Sequence, residues 1–243
     1  MSLTNKSIVY LVSLFSAVFV ISGCMPAIKS NVPELEARAA NIKKIVLLSP
    51  QVEIYEVSAG GVKEKHDKWC STGKENIEKA LQETFKEKGV YLNSLKPNKN
   101  NKDDIEDINA LYRAVAYSIY NHTFYYGQNP NLFPERIENF DYSIGSVEKL
   151  LKKYNADGLL IVYASDEIST KGRKALQVIQ AINPFGQMDQ AGITSMVIGL
   201  TDTSGAVLWF RTKSNSGGYD LRESESTQDF VHGLLSDYPG GEK

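Results

Sequence analysis

The chain has 243 residues, 42% of them hydrophobic, and its 27 basic and 29 acidic residues leave a formal net charge of −2. That balance excludes a broad basic surface for nucleic acid, and no internal repeat or low-complexity block is present. The two cysteines are Cys24, close to the N-terminus, and Cys70.

Residues 1–23 read as a cleaved export signal. A polar start carries one cation, Lys6, an apolar run extends from Ile8 to Ile21, and Ser22 and Gly23 precede Cys24. A run of about 14 residues is too short for a permanent membrane helix, which needs roughly 20, and fits the apolar region of a signal peptide. The string Ile21-Ser22-Gly23-Cys24 resembles the bacterial lipobox. The resemblance implies a diacylglycerol thioether on Cys24, cleavage before it, and acylation (palmitate or similar) of the new amine. Two or more acyl chains anchor stably where one does not. A plain signal or short anchor with an incidental cysteine is the alternative. Met25, not Asp, follows the cysteine, which favours the outer membrane, facing the periplasm. With Cys24 used, Cys70 has no disulfide partner even in an oxidising compartment, and it reads as core packing.

Residues 24–42 read as a lipidated tether broken by Pro26 and Pro33, with room for a short helical turn over Glu34 to Ala40. A single globular α/β domain is expected over residues 43–238, with insertions near 121–143 and 171–192. Ile45 to Leu48, ended by Pro50, predicts a buried strand, and the alternation in 52–57 a half-exposed one. Thr72 with Glu75 predicts a capping box opening a helix whose buried stripe is Ile77, Ala80, Leu81, Thr84 and Phe85, stopped by Gly89. A short strand comes next, over 90–95. Asp103 or Asp104 starts a second helix with an inward stripe of Ile105, Ile108, Leu111, Tyr112, Val115 and Ile119. A third helix over 146–155 leads into a strand through Ala156-Asp157-Gly158. After an amphipathic stretch near 174–182 come two strands, 193–202 and 206–214, antiparallel because Thr203-Ser204-Gly205 is too short a link to cross over. A helix from about Glu223 to Ser236 closes the chain. The expected architecture is a mixed sheet with helices packed on it, α/β or α+β, ending in a β-hairpin and a closing helix.

No catalytic constellation emerges from the sequence. His66, His122 and His232 stand at no metal-ligand spacing, and there is no nucleophile elbow, P-loop or dinucleotide fingerprint. Asp103, Asp104, Glu106 and Asp107 lack the spacing of a calcium loop and read as acids complementing a helix start. Two stretches suit an interaction surface. One is aromatic: Tyr117, Tyr120, Phe124, Tyr125, Tyr126 and Phe133, which supply contact area on a long connection, or else cover one side of the core. The other begins with Arg173 and Lys174 and continues through Leu176, Val178, Ile179 and Ile182, suiting a membrane surface or a partner subunit, or folding back over the sheet.

The strings Ala156-Asp157-Gly158-Leu159-Leu160 and Leu200-Thr201-Asp202-Thr203-Ser204-Gly205-Ala206-Val207-Leu208-Trp209 resemble a pattern in lipoproteins of the curli-secretion-channel type. Their relatives are the penicillin-binding-protein activator lipoproteins and the N-terminal domain of the Tol-system periplasmic protein. The resemblance implies a compact envelope domain used for assembly or protein contacts, as a homo-oligomer or with an envelope partner. It implies no pore, because residues 171–192 are short and not alternating. The expectation is therefore a lipid-anchored, non-enzymatic envelope protein without a cofactor. The alternative is a periplasmic ligand-binding or hydrolytic domain with 121–143 as a lid.

Overall fold

Apolar, β-branched runs separated by amphipathic helical stretches lead to alternating strands and helices. In chain order these are α1 (Pro33–Ala40), β1 (Lys44–Leu48), β2 (Gln51–Val57), β3 (Lys63–Lys65), α2 (Asp67–Glu87), β4 (Tyr91–Leu95), α3 (Lys102–Ile119), a π-helical turn (Tyr120–Phe124), α4 (Glu135–Glu138), α5 (Glu148–Lys153), β5 (Gly158–Ser169), β6 (Ile193–Asp202), β7 (Val207–Ser216) and α6 (Ser224–Leu234). They belong to a computed structural model that describes residues 33–124, 133, 135–174 and 192–240.

The strands form one mixed seven-stranded sheet. Its middle is β5, which pairs in parallel with β1 over Gly158–Leu160 and with β2 over Tyr163–Ser169. Along its other side it pairs antiparallel with β6, which pairs with β7. Thus β1 and β2 lie end to end along one neighbour. The register gains one residue between Leu47↔Leu160 and Gln51↔Tyr163, so Pro50 sits in a bulge, where its missing N–H costs no ladder bond. Beyond them, β4 pairs parallel with β1 and β3 antiparallel with β2.

Helices cover the two faces unequally. On one face α2 buries Ile77, Leu81 and Phe85 completely, each contributing about 1.5–3 kcal/mol, and Gly73 lets it approach Ile54 and Leu221 closely. The closing helix α6 buries Phe230, Val231 and Leu234 beside it. On the other face α3 crosses the sheet at Gly199, where a Cβ would come within 2.3 Å of the Tyr112 hydroxyl. The 203–205 turn matches its reading: Gly205 has φ +82, and Asp202 Oδ1 accepts the Ser204 and Ala206 N–H groups at 2.9 and 3.2 Å.

Several local expectations are corrected. The first long helix begins at Asp67, not at Thr72; Thr72 lies inside it, donating its hydroxyl to the Lys68 carbonyl at 3.1 Å. The helix is extended backwards by packing of Trp69 and Cys70 against the core, which outweighs a local cap. Leu111 is not part of the buried stripe of α3 but is 52% exposed, its place taken by Ala116, because α3 rests on the sheet through Tyr112. Residues 33–42, read as tether, pack on the domain: Leu35, Ala39 and Ile42 are buried, and Arg38 pairs with Asp202. Cys70 is half-buried, and its sulfur accepts the Ile54 N–H at 3.2 Å.

Candidate functional site

The aromatic segment is anchored at both described ends. Helix α3 runs into the π-helical turn, where the Thr123 hydroxyl donates to the Ile119 carbonyl at 2.7 Å. The return strand segment is stitched to the hairpin: Val207 N–H donates to the Tyr142 carbonyl and Ile144 N–H to the Gly205 carbonyl, both at 2.9 Å. Phe140 and Ile144 are buried. His122 bridges the two ends, with Nδ1 2.9 Å from the Tyr142 hydroxyl and its ring edge-on to Phe133 at 5.1 Å. Partial burial pushes the Tyr142 phenol above its ordinary pKa. Tyr117 is 70% exposed, and Phe133, though edge-on to His122, remains 51% exposed. On the outer face of the last turns of α3, Ala110, Leu111, Ala114 and Tyr117 are exposed together with Arg113.

Of the other predicted residues, Tyr120 is half-buried and engaged. Phe124 ends the π-helical turn. Tyr125 and Tyr126 lie outside the described residues, as do Cys24, Leu176 and Ile179. Arg173 is half-buried and donates to the Ser58 carbonyl at 3.3 Å, so it is tied to the β2–β3 turn and stands apart from the aromatic cluster. Asp103 and Asp104 occupy the first turn of α3. His66 stacks on Trp69 at 4.1 Å with Glu56 3.6 Å away, and His232 is exposed on α6.

Two arrangements were not anticipated from sequence. The first is a polar groove of about 320 Å³ on the sheet face beside α3, lined by Gln51, Glu53, Lys65, Arg113, Tyr163 and Ser165 among others. Arg113 stands 5.4 Å above the Tyr163 ring, whose hydroxyl donates to the Asn109 carbonyl at 2.6 Å. Lys65 pairs with Glu53 at 2.9 Å, and the hydrogen bonds from Lys65 and Tyr55 hold the Glu53 carboxyl below its ordinary range. A second groove along α3 shares Gln51 and Arg113 with the first. Only register brings these residues together, which is why spacing along the chain did not reveal them.

The second is a buried carboxylate. Asp166 interrupts the apolar run of β5 and is 1% exposed; it accepts the Thr194 hydroxyl at 2.7 Å and the Leu221 N–H at 2.8 Å. Burial raises its pKa, and those two hydrogen bonds offset part of the shift. A buried acid with both oxygens used this way fastens the 219–221 segment to the sheet. Its signal in the sequence was an aspartate at an inward strand position.

Among the described residues no group of three or more His, Cys, Asp or Glu could hold a metal ion, and no helix is long and apolar enough to cross a membrane. No protein family matches the sequence, and no curated protein matches it. Two solved structures with a similar arrangement are crystal forms of the PelC dodecamer from Paraburkholderia phytofirmans. One aligns at a TM-score of 0.40 and 12% identity over 89% of this chain and 99% of that one. The other, a single-substitution variant, aligns at 0.38 and 12% over 90% and 99%. That likeness is too loose to bear on function.

Proposed function

We propose that this chain is a lipid-anchored cell-envelope protein with a non-catalytic assembly role, held at the outer membrane through Cys24 and facing the periplasm. The apolar run 8–21 and the Ile21-Ser22-Gly23-Cys24 string support the anchor. The observation that carries the assembly role is the exposure of two large aromatics, Tyr117 on α3 and Phe133 against the His122–Tyr142 clasp. Large aromatics left in water on a fixed support are costly to the free protein and favourable at an interface. The partner is an envelope protein or a second copy of this chain.

The described ends of the 121–143 segment pack onto the core, which disfavours a lid. The test is in-cell crosslinking from photoreactive residues placed at Tyr117 and Tyr125, with Leu176 as a probe of the second candidate stretch. Recovery of a defined crosslinked species from Tyr117 supports the reading. Recovery of monomer alone, together with monomeric sedimentation, rejects it.

A further inference from the structure

One end of the sheet gathers six lysines, of which only Lys152 forms an ion pair among the described residues. The strands β1, β4 and β5 all begin there, and α2 and α5 both end there. Tyr91 N–H donates to the Lys43 carbonyl, Asp157 N–H to the Lys44 carbonyl, and Gly89 N–H to the Lys86 carbonyl. Lys44 is in register with Tyr91, and Ala156 N–H closes α5 on Leu151 just past Lys152 and Lys153. Backbone hydrogen bonds thus bring Lys43, Lys44 and the ends of α2 and α5, which carry Lys86, Lys88, Lys152 and Lys153, to one rim of the sheet, with only Lys88 less than exposed. Among the described residues only Lys152 of these six forms an ion pair, with Glu148 at 2.7 Å. The rim's acids are Glu87, Glu148, Asp157 and Asp202: the Lys44 N–H engages Asp157 at 3.1 Å, Lys152 pairs with Glu148, and Arg38 pairs with Asp202, which lies opposite Gly158.

At the opposite end Lys63 pairs with Glu167, Lys65 with Glu53 and Arg222 with Asp220, while Lys96, Lys99, Lys171 and Lys174 form no ion pair among the described residues. Helix C-termini explain the cations of α2 and α5, but Lys43 and Lys44 belong to no helix. At the same rim Tyr91 is 67% exposed, an amphipathic ring of the kind that sits at headgroup level.

We propose that this rim binds anionic phospholipid headgroups, so that the domain stands on the membrane with β1, β4 and β5 starting at its surface. The proposal rests on the anchored reading for proximity. The nine residue steps from Cys24 to Pro33 reach at most roughly 30 Å, and α1, about 12 Å long, leads through Ile42 into Lys43. A tether of that length keeps the domain near the headgroups, and the rim's charge then selects which end meets them.

The experiment uses the full chain purified from membranes and reconstituted in phosphatidylcholine vesicles with or without phosphatidylglycerol. Amine acetylation read by mass spectrometry reports each lysine, with Lys63 and Lys65 as internal controls. The expected result is protection of Lys43, Lys44, Lys86 and Lys88 on the anionic vesicles only, released by high salt, with the controls unchanged. Equal labelling on both vesicle types overturns the proposal. So does protection on both alike, which signals contact between copies.

A Cys24→Ser chain added to the same vesicles separates the two readings. Its sedimentation with anionic vesicles, weakened roughly fivefold for each cation removed by Lys43→Gln or Lys44→Gln, supports the rim whether or not Cys24 carries lipid. The mass of the N-terminal peptide reports the anchor independently. A lipidated Cys24 with an unprotected rim leaves the anchor standing and rejects the rim.

Discussion

Asp202 pairs through one carboxylate oxygen with Arg38 of α1 while the other accepts Ser204 in the turn that leaves β6. One side chain therefore shapes the hairpin and holds the first helix of the domain against it. Burial raises the pKa of this carboxyl, but hydrogen bonds from Ser204 and Arg38 outweigh it and leave it below its ordinary value. A depressed carboxylate contributes stability that is present above its unfolded pKa and lost as pH falls through the folded one. Asp202→Ala is expected to lower stability by about 1–3 kcal/mol at neutral pH and to have a smaller effect at low pH. Urea denaturation at both pH values checks this, and limited proteolysis should show earlier cleavage within residues 33–42.

Gly199 and Tyr112 form the second test. The Tyr112 phenol is fully buried, its hydroxyl has no hydrogen-bond partner among the described residues, and desolvation holds its pKa far above the ordinary value. Gly199→Ala places a methyl group against that hydroxyl and is expected to cost about 1–3 kcal/mol. Tyr112→Phe, which removes a buried unpaired hydroxyl, should be neutral or stabilising by about 1 kcal/mol. Combining the two should recover part of the loss, a coupling that a double-mutant cycle measures directly.

Asp166 has the opposite pH sign to Asp202. Burial raises its folded pKa above the unfolded one. Its stabilising contribution is therefore complete below the unfolded pKa and is lost as pH rises through the folded value. Asp166→Asn carries no such proton. The stability gap between wild type and Asp166→Asn should narrow as pH rises through that window, with urea midpoints as the readout. A gap that widens with pH contradicts the assignment.

Tyr117→Ser and Phe133→Ser remove exposed surface and should change folding stability by no more than about 0.5 kcal/mol. In cells Phe133→Ser should abolish the crosslink expected from a photoreactive residue at position 117, while Cys24→Ser should move the chain from the membrane fraction to the soluble one. Fractionation and blotting decide both. Loss of the crosslink with full retention in the membrane separates the partner surface from the anchor.

Elements with strong local signals were legible: the buried stripe of α2, the strand β2 (though it buries Ile54 and Val57 rather than alternating) and the 203–205 turn were each written in a few adjacent residues. Features set by distant neighbours were not. Thr72 offered a locally sound cap, yet Trp69 and Cys70 extend α2 past it. Leu111 fits the helical period of α3, but the stripe that a helix buries depends on where it crosses the sheet, and Gly199 determines that crossing. The aromatic surface was half legible, because Tyr117 and Phe133 are exposed while Tyr142 is drawn into packing by His122. The Arg113 groove needs the pairing of Gln51 with Tyr163, which no local pattern encodes.

The end-to-end placement of β1 and β2 along β5 also has a temporal side. More than half the chain is synthesised before Gly158, and until then β1 and β2 lack the strand that unites them. A polypeptide emerging from its N-terminus must therefore wait for β5 before its sheet can close. Contacts so distant in sequence make folding slow. If the chain is exported as proposed, that delay would keep its leading segment unfolded during passage, with completion of the sheet reserved for the far side.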